Sequence, residues 1–371
     1  MIIKTVLIWI YFKVLHFFWC GYRLNEYSYG NYEFSNREIA KWAEYYLSQR
    51  TNFHQASWLS GRVTDNPNDI LIGHPTWDET NGNEDPVLGK FLRNWVKDNA
   101  LDNYALCHPN TYILMPWVPK FPNEWIVNMP AAKFQLLQAS KIFALCGDIW
   151  IDRTFEMNDD SIQCRVRDKL IHCNMGIAAQ NFPVHKTKFN PIGDRQVLHL
   201  SNLSPYKGFD VTCKSLMGLD TLLYVGSQSI KMEIGITRVE LDNDEFFFSF
   251  IGNINNNDPA INAWIVENCD FYIHTATMDA QATTILENCA RGLIPLVTPE
   301  SGFASPHAIY LTHDPVENRK IIEWALNLPE EELMRRSQLL RSQVLRSHSW
   351  EGIFGKIWDG IMQDIGDRQS R

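Results

Sequence analysis

Residues 278–298, MDAQATTILENCARGLIPLVT, carry the chain from a polar loop through one short helix and straight into a strand. Thr283 and Thr284 open the helix, Glu287 falls in its first turn, Gly292 is a natural stop, and Leu293–Thr298 follow as a strand. Two readings fit these residues. In the first, Thr284-x-x-Glu287 is a capping box, so the glutamate serves only the helix. In the second, the open N–H groups of the helix start receive a phosphate, and the carboxylate accepts two hydroxyls of a ribose.

The same alternation extends outward in both directions. Phe271-Tyr-Ile-His274 reads as the strand before this helix. Asp258 and Pro259 read as the N-cap and first residue of a helix reaching about Asn268. Further strands are expected at Val197–Ser201, Thr221–Val225 and Glu245–Ile251. Earlier in the chain, strands are expected at Thr5–Ile10, Asp69–Ile72, Thr111–Met115, Lys141–Cys146 and Leu170–His172, with helices at Asn36–Gln49 and Pro130–Ser140. The polar stretch Pro183–Arg195 reads as a linker between the halves. Strand–helix alternation on both sides of it predicts an α/β protein with two Rossmann-like parallel-sheet domains, residues 1–185 and 186–371, facing a central cleft. Ligands of such sheets sit beyond the carboxyl ends of the strands. Trp350, Ile353, Phe354, Ile357, Trp358, Ile361 and Met362 recur at helical spacing. They make a terminal helix with one apolar face, a candidate to pack back on the first domain.

A chain of 371 residues suits two domains, and 45% hydrophobic residues supply cores for both. A net charge of −9 leaves no broad basic field for nucleic acid. The eight cysteines form no Cys-x-x-Cys and read as buried free thiols of a reducing compartment, and the eleven histidines show no metal-ligand spacing. Near the N-terminus, Lys13 and His16 interrupt the apolar run, which falls short of the roughly 20 residues of a membrane span. A buried strand followed by an aromatic loop is the expectation, with a signal anchor as its rival. Phe17, Phe18 and Trp19 are the residues that would touch a membrane if the partner were a lipid.

Two more constellations bear on chemistry. Ser201-Asn-Leu-Ser-Pro-Tyr-Lys-Gly-Phe-Asp210 follows a strand and precedes a helix. Lys207 gives it a fixed positive charge, and Gly208 lets the backbone come close, which together suit a diphosphate. Taken alone, Lys-Gly in a loop is an ordinary solvated turn. Asn174-Met-Gly-Ile177 is a turn after the last strand of the first half.

In order and spacing these stretches resemble the GT-B glycosyltransferases of the large retaining, nucleotide-sugar-dependent group that includes sucrose and glycogen synthases and many cell-surface polysaccharide enzymes. That group's middle turn matches Asn174-Met-Gly176-Ile177, and its strand-loop motif matches Ser201-Asn202-Leu203 with Lys207-Gly208. Its Glu-x7-Glu matches Asp279 and Glu287, its following strand Gly292–Val297, and its terminal motif Ser349-Trp350-Glu351. The likeness covers roughly residues 170–362. It implies a nucleotide-sugar donor, a hydroxyl acceptor (polysaccharide, glycolipid or small molecule), and no cofactor or metal. It also implies roles. Lys207 would neutralise the diphosphate, Glu287 hold the ribose, and Asp279 contact the donor sugar. Ser204, Gly208, Thr283 and Thr284 would line the donor-binding loops, the threonines through their amides.

Two departures stand out. Asn202 replaces the group's phosphate-binding arginine, and Asp279 replaces its first glutamate. They bring in a second reading, a non-catalytic nucleotide-sugar-binding protein. On the acceptor side His74, at the end of a strand, is the candidate. His274 also ends a strand, and core packing is its expected role. Asp242-Asn-Asp244 has the form of a metal-binding pair, but it lies between two strand-like runs and reads as a turn. No lysine is placed for a pyridoxal cofactor, which argues against a phosphorylase.

Overall fold

The computed structural model describes residues 33–51, 70–73, 110–115, 136, 137, 139–156, 165–228, 232–241, 244–256 and 258–370. The expected strand Thr5–Ile10, the aromatic residues Phe17–Trp19, His74, Asp242 and most of the helix expected at Pro130–Ser140 lie outside them.

The first sheet holds β1 (Leu71–Gly73), β2 (Thr111–Met115), β3 (Lys141–Leu145) and β4 (Leu170–Cys173), side by side in that order. All are parallel, with Tyr112 opposite Lys141 and Phe143 opposite Ile171. Before it runs α1 (Glu33–Ser48), and between β3 and β4 lies α2 (Asp148–Glu156). Parallel strands need helical crossovers, and covering both faces makes them apolar throughout. Ile142, Phe143, Ala144 and Leu145 are accordingly all buried.

The second sheet has seven strands. They are β5 (Val197–Leu200), β6 (Leu223–Gly226), β7 (Gly235–Leu241), β8 (Asp244–Gly252), β9 (Phe271–His274), β10 (Ile294–Val297) and β11 (Ile309–Tyr310), in the order β11-β10-β9-β5-β6-β8-β7. Its helices are α3 (Phe209–Leu216), α4 (Pro259–Asn268), α5 (Thr283–Ala290) and α6 (Pro315–Leu326). Every pairing is parallel except that of β7 with β8, where Leu241 pairs with Asp244. These two strands pair as an antiparallel hairpin, and Asp244 stands exposed at a strand end. Phe246, Phe248 and Phe250 face inward at strand period while Phe247 faces out. The expected cap of α4 is present: Asp258 Oδ1 accepts from the Ala260 N–H at 2.9 Å, and Pro259 is the first helical residue.

The stretch read as the linker between the halves is partly a core element. Lys186 and Asp270 form a buried ion pair at 2.9 Å, and Lys186 also donates to the carbonyls of Val266 and Cys269 at the end of α4. Asn190 and Gln196 donate to the same aspartate, while Arg195 donates to the carbonyls of Leu326 and Leu328. A polar composition suggested solvent, but these side chains satisfy buried helix ends instead.

Two more helices, α7 (Glu330–Ser347) and α8 (Trp350–Gln369), close the chain. The buried residues of α8 are Trp350, Ile353, Phe354, Ile357 and Ile361, and it packs against α1, β3 and β4 of the first half. Tyr112 Oη donates to Asp364 at 2.9 Å across that contact. The Trp350 indole lies over Gly176, where any Cβ would come within 2.3 Å of the ring. Ile177 and Ser349 form a parallel bridge beside it. Two motifs far apart in sequence thus form one joint. No helix among the described residues is long and apolar enough to cross a membrane.

Candidate active site

The chain leaves β5 at Leu200 and turns sharply. Ser201 Oγ accepts from the Leu203 N–H at 3.0 Å, and Asn202 Oδ1 accepts from the Ser204 N–H at 3.1 Å. These side-chain turns hold Leu203 at φ 55°, the only positive φ outside glycine among the described residues. Asn202, where the resembling group has arginine, is spent on folding the loop. A short 3-10 turn, Pro205–Lys207, then leads to Gly208 at φ 70°. A Cβ on Gly208 would sit 2.0 Å from the Thr275 carbonyl oxygen. Only glycine lets this loop press against the loop that follows β9. Thr275 Oγ1 donates to the Gly208 carbonyl at 2.6 Å, and the Thr277 N–H donates to that of Tyr206 at 2.8 Å.

That contact brings Lys207 onto Asp279. The ammonium pairs with Asp279 Oδ2, and His274 Nε2 reaches the same oxygen at 3.1 Å. Burial opposes both charges, yet each more than offsets that for the other. The lysine is held above its ordinary pKa, and the aspartate is held down to about 2, helped by His274. Burial keeps the His274 pKa below its usual value, so the ring is neutral at pH 7.

The capping box is not formed. Ala282 is the N-cap of α5 and offers no side-chain hydrogen bond, so Glu287 falls in the second turn rather than the first. Thr284 lies inside the helix, and its Oγ1 is 2.6 Å from the hydroxyl of Tyr272, a fully buried ring on β9. The loop before the helix is fixed from elsewhere: the Ala282 N–H donates to the Ser301 carbonyl. Among the described residues, no hydrogen-bond partner meets the N–H of Thr283 or Thr284. The far end is as expected. Gly292, at φ 86°, donates to the Cys289 carbonyl and Leu293 to that of Asn288, a Schellman ending. Glu287 is half-buried. Arg291, at 0% exposure, rests over Phe182 and donates to Asn256, Asn262 and Asn288. Burial lowers its pKa, and the field of Glu287 opposes that.

The first half meets this centre through α2. Trp150 Nε1 donates to the Asp279 carbonyl at 2.5 Å, the Gly147 N–H to the Ala280 carbonyl at 2.8 Å, and Arg153 to Glu300 at 2.6 Å. Gln281 reaches back, its Oε1 accepting from the Met175 N–H at 2.7 Å. Lys207, Asp279 and the start of α5 are therefore gathered at the carboxyl ends of β5 and β9, facing α2. Two residues were misread or missed: His274, expected to pack only, touches Asp279, and Trp150 gave no signal. Among the described residues, no group of three or more His, Cys, Asp or Glu converges as metal ligands would.

No protein-family model and no curated protein matches the sequence. Solved structures do. The N-terminal domain of Candida albicans trehalose-6-phosphate phosphatase aligns at TM-score 0.53 and 15% identity, over 95% of this chain and 81% of that one. WaaG, a glycosyltransferase involved in lipopolysaccharide biosynthesis, aligns at 0.52 and 14%, over 88% and 96%. The chain has the GT-B fold. A UDP-forming α,α-trehalose-phosphate synthase from Burkholderia xenovorans aligns at 0.52 and 13%, over 91% and 80%. Some matched chains are longer: the alignment spans about half (51%) of S. aureus TarM. Lys207 and Asp279 belong to the half built on the second sheet, and Trp150 and Arg153 to the half built on the first.

Proposed function

We propose that this GT-B chain is a glycosyltransferase that moves a sugar from a nucleoside-diphosphate donor to a hydroxyl acceptor, with retention at the anomeric carbon. One observation carries the reading: Lys207 and Asp279 meet at the carboxyl ends of β5 and β9, beside the N–H groups of Thr283 and Thr284, which have no partner among the described residues. The GT-B likeness to WaaG supports it. A donor diphosphate takes the Lys207 ammonium and the N–H groups of Thr283 and Thr284, where the helix dipole favours negative charge. As the bond from the sugar to the diphosphate breaks, charge builds on the leaving oxygen, and those groups stabilise it. Asp279 accepts a hydroxyl of the sugar and Glu287 those of the ribose. Ser204 and Gly208 shape the loop around Lys207. His74 is the candidate on the acceptor side, residues 1–185 form the acceptor domain, and residues 186–371 form the donor domain. The work is done in the cytoplasm, at the membrane face if the acceptor is a lipid.

A panel of UDP-, GDP- and ADP-sugars read by thermal shift tests the donor. A true donor raises the melting temperature as its concentration passes its dissociation constant, and a panel in which none does so rejects the reading. Transfer should persist in EDTA, since lysine and helix amides carry the electrostatic work. Loss in EDTA with rescue by manganese would reject that assignment. An inverted anomeric centre in the product, read by NMR, would overturn retention. The second reading, a binder without turnover, draws on Asn202 being used to fold its loop. Binding without donor consumption over long incubation would favour it.

A further inference from the structure

We propose that His274 is a positioning residue for the donor sugar: it loads Asp279 Oδ2 and so presents Oδ1 to a sugar hydroxyl. The inference rests on the donor-binding reading above. Oδ2 receives both Lys207 and His274, whereas Oδ1 has no partner among the described residues. A carboxylate free to rotate would trade its oxygens, but with two donors on one of them it offers a single acceptor in one place.

The alternative, a histidine kept for packing, is met elsewhere in this same fold. His199, stacked on His274 with ring centroids 6.0 Å apart, satisfies both ring nitrogens, one on the Ile273 carbonyl and one on Ser201 Oγ. His274 does not. Its Nε2 must carry the proton to donate to Asp279, and its Nδ1 is buried with no partner among the described residues. An unsatisfied buried nitrogen is costly, and a leucine or phenylalanine at this place would avoid it. Retention of an imidazole at that cost is accounted for by the one bond it makes, which is to Asp279. The strand explains the reach: β9 ends at His274, and the loop doubles back five residues later with Asp279 N–H held on the Glu300 carbonyl at 2.9 Å.

The test compares His274→Phe, which fills the space without a donor, with His274→Gln, which restores an N–H at similar reach. Binding of UDP and of UDP-glucose to the full chain is measured by calorimetry for each. In His274→Phe, UDP-glucose affinity is expected to fall about tenfold with UDP affinity within twofold of the parent, and His274→Gln is expected to recover most of the loss. An equal fall for both ligands, or no fall, overturns the proposal, because a packing defect would not single out the sugar. If the parent chain binds neither ligand, the nucleotide and nucleotide sugar that the thermal-shift panel selects replace them, and if the panel selects none the donor reading fails first. The contact is then judged alone by a double-mutant cycle of His274→Phe with Asp279→Asn in thermal unfolding. Additive shifts in melting temperature overturn it, and a clear shortfall from additivity upholds it.

Discussion

Asp279 keeps its charge under burial because Lys207 and His274 share one of its oxygens. That arrangement ties stability to pH. The folded carboxyl titrates at about 2 against an ordinary 3.8, so its contribution, about 2 kcal/mol, is complete above pH 4 and is lost as pH falls toward 2. Acid unfolding followed by circular dichroism should show Asp279→Asn flatter than the parent between pH 4 and 2. Glu287 behaves differently. With no capping box to support, Glu287→Gln removes a negative field from a buried guanidinium, so it should lower the melting temperature. Donor affinity should fall about tenfold to a hundredfold, the loss of a charged hydrogen bond. Titration beside a melting curve checks both, and parent-like values in each would leave the glutamate without either role. At this scale residue type marked Lys207 and Gly208 as a loop that suits a diphosphate, and Asp279 came only from the family resemblance. It hid His274, because a pairing across a doubled-back loop leaves no periodic trace. It misplaced the start of α5, because the hydroxyl expected to cap was turned toward Tyr272.

Elements whose two faces are both covered were the easiest to read. β9 and β2 fall where their short apolar runs said, and α5 ends at its glycine. Edges and connections were harder, since hydrogen bonds to distant carbonyls decide them. The segment containing Lys186 and Arg195 is polar in composition and mostly exposed, yet Lys186, Phe189 and Arg195 are buried. Its anchor gives a prediction: Asp270→Ala leaves Lys186 charged and unpaired in the core, and should cost about 3–5 kcal/mol in denaturant unfolding. From the half built on the first sheet, α2 reaches Asp279 through Trp150. Trp150→Phe keeps a ring but loses the bond to the Asp279 carbonyl, worth about 0.5–1.5 kcal/mol. Donor KM should rise about two- to tenfold beside a fall of a few degrees in melting temperature, as steady-state kinetics beside a melting scan would show.

The whole molecule is held together where Trp350 covers Gly176 and α8 lies along the first sheet. The amphipathic spacing of α8 announced that it would pack, and the structure supplies its partners, α1, β3 and β4. Trp350→Ala should destabilise by about 3–5 kcal/mol, as a buried aromatic does on truncation. Gly176→Ala should be nearly as harmful despite adding one methyl, because that methyl meets the indole. Chemical denaturation of both variants checks the pair. The same helix sets an order on biosynthesis. Tyr112 and Phe143 on the early strands find cover from residues 350–369, which the ribosome makes long afterwards. Domains usually fold in the order of synthesis. Here the later sheet can be complete while the earlier one still waits on the nascent chain with an apolar face open, and that interval is when the protein most needs a chaperone.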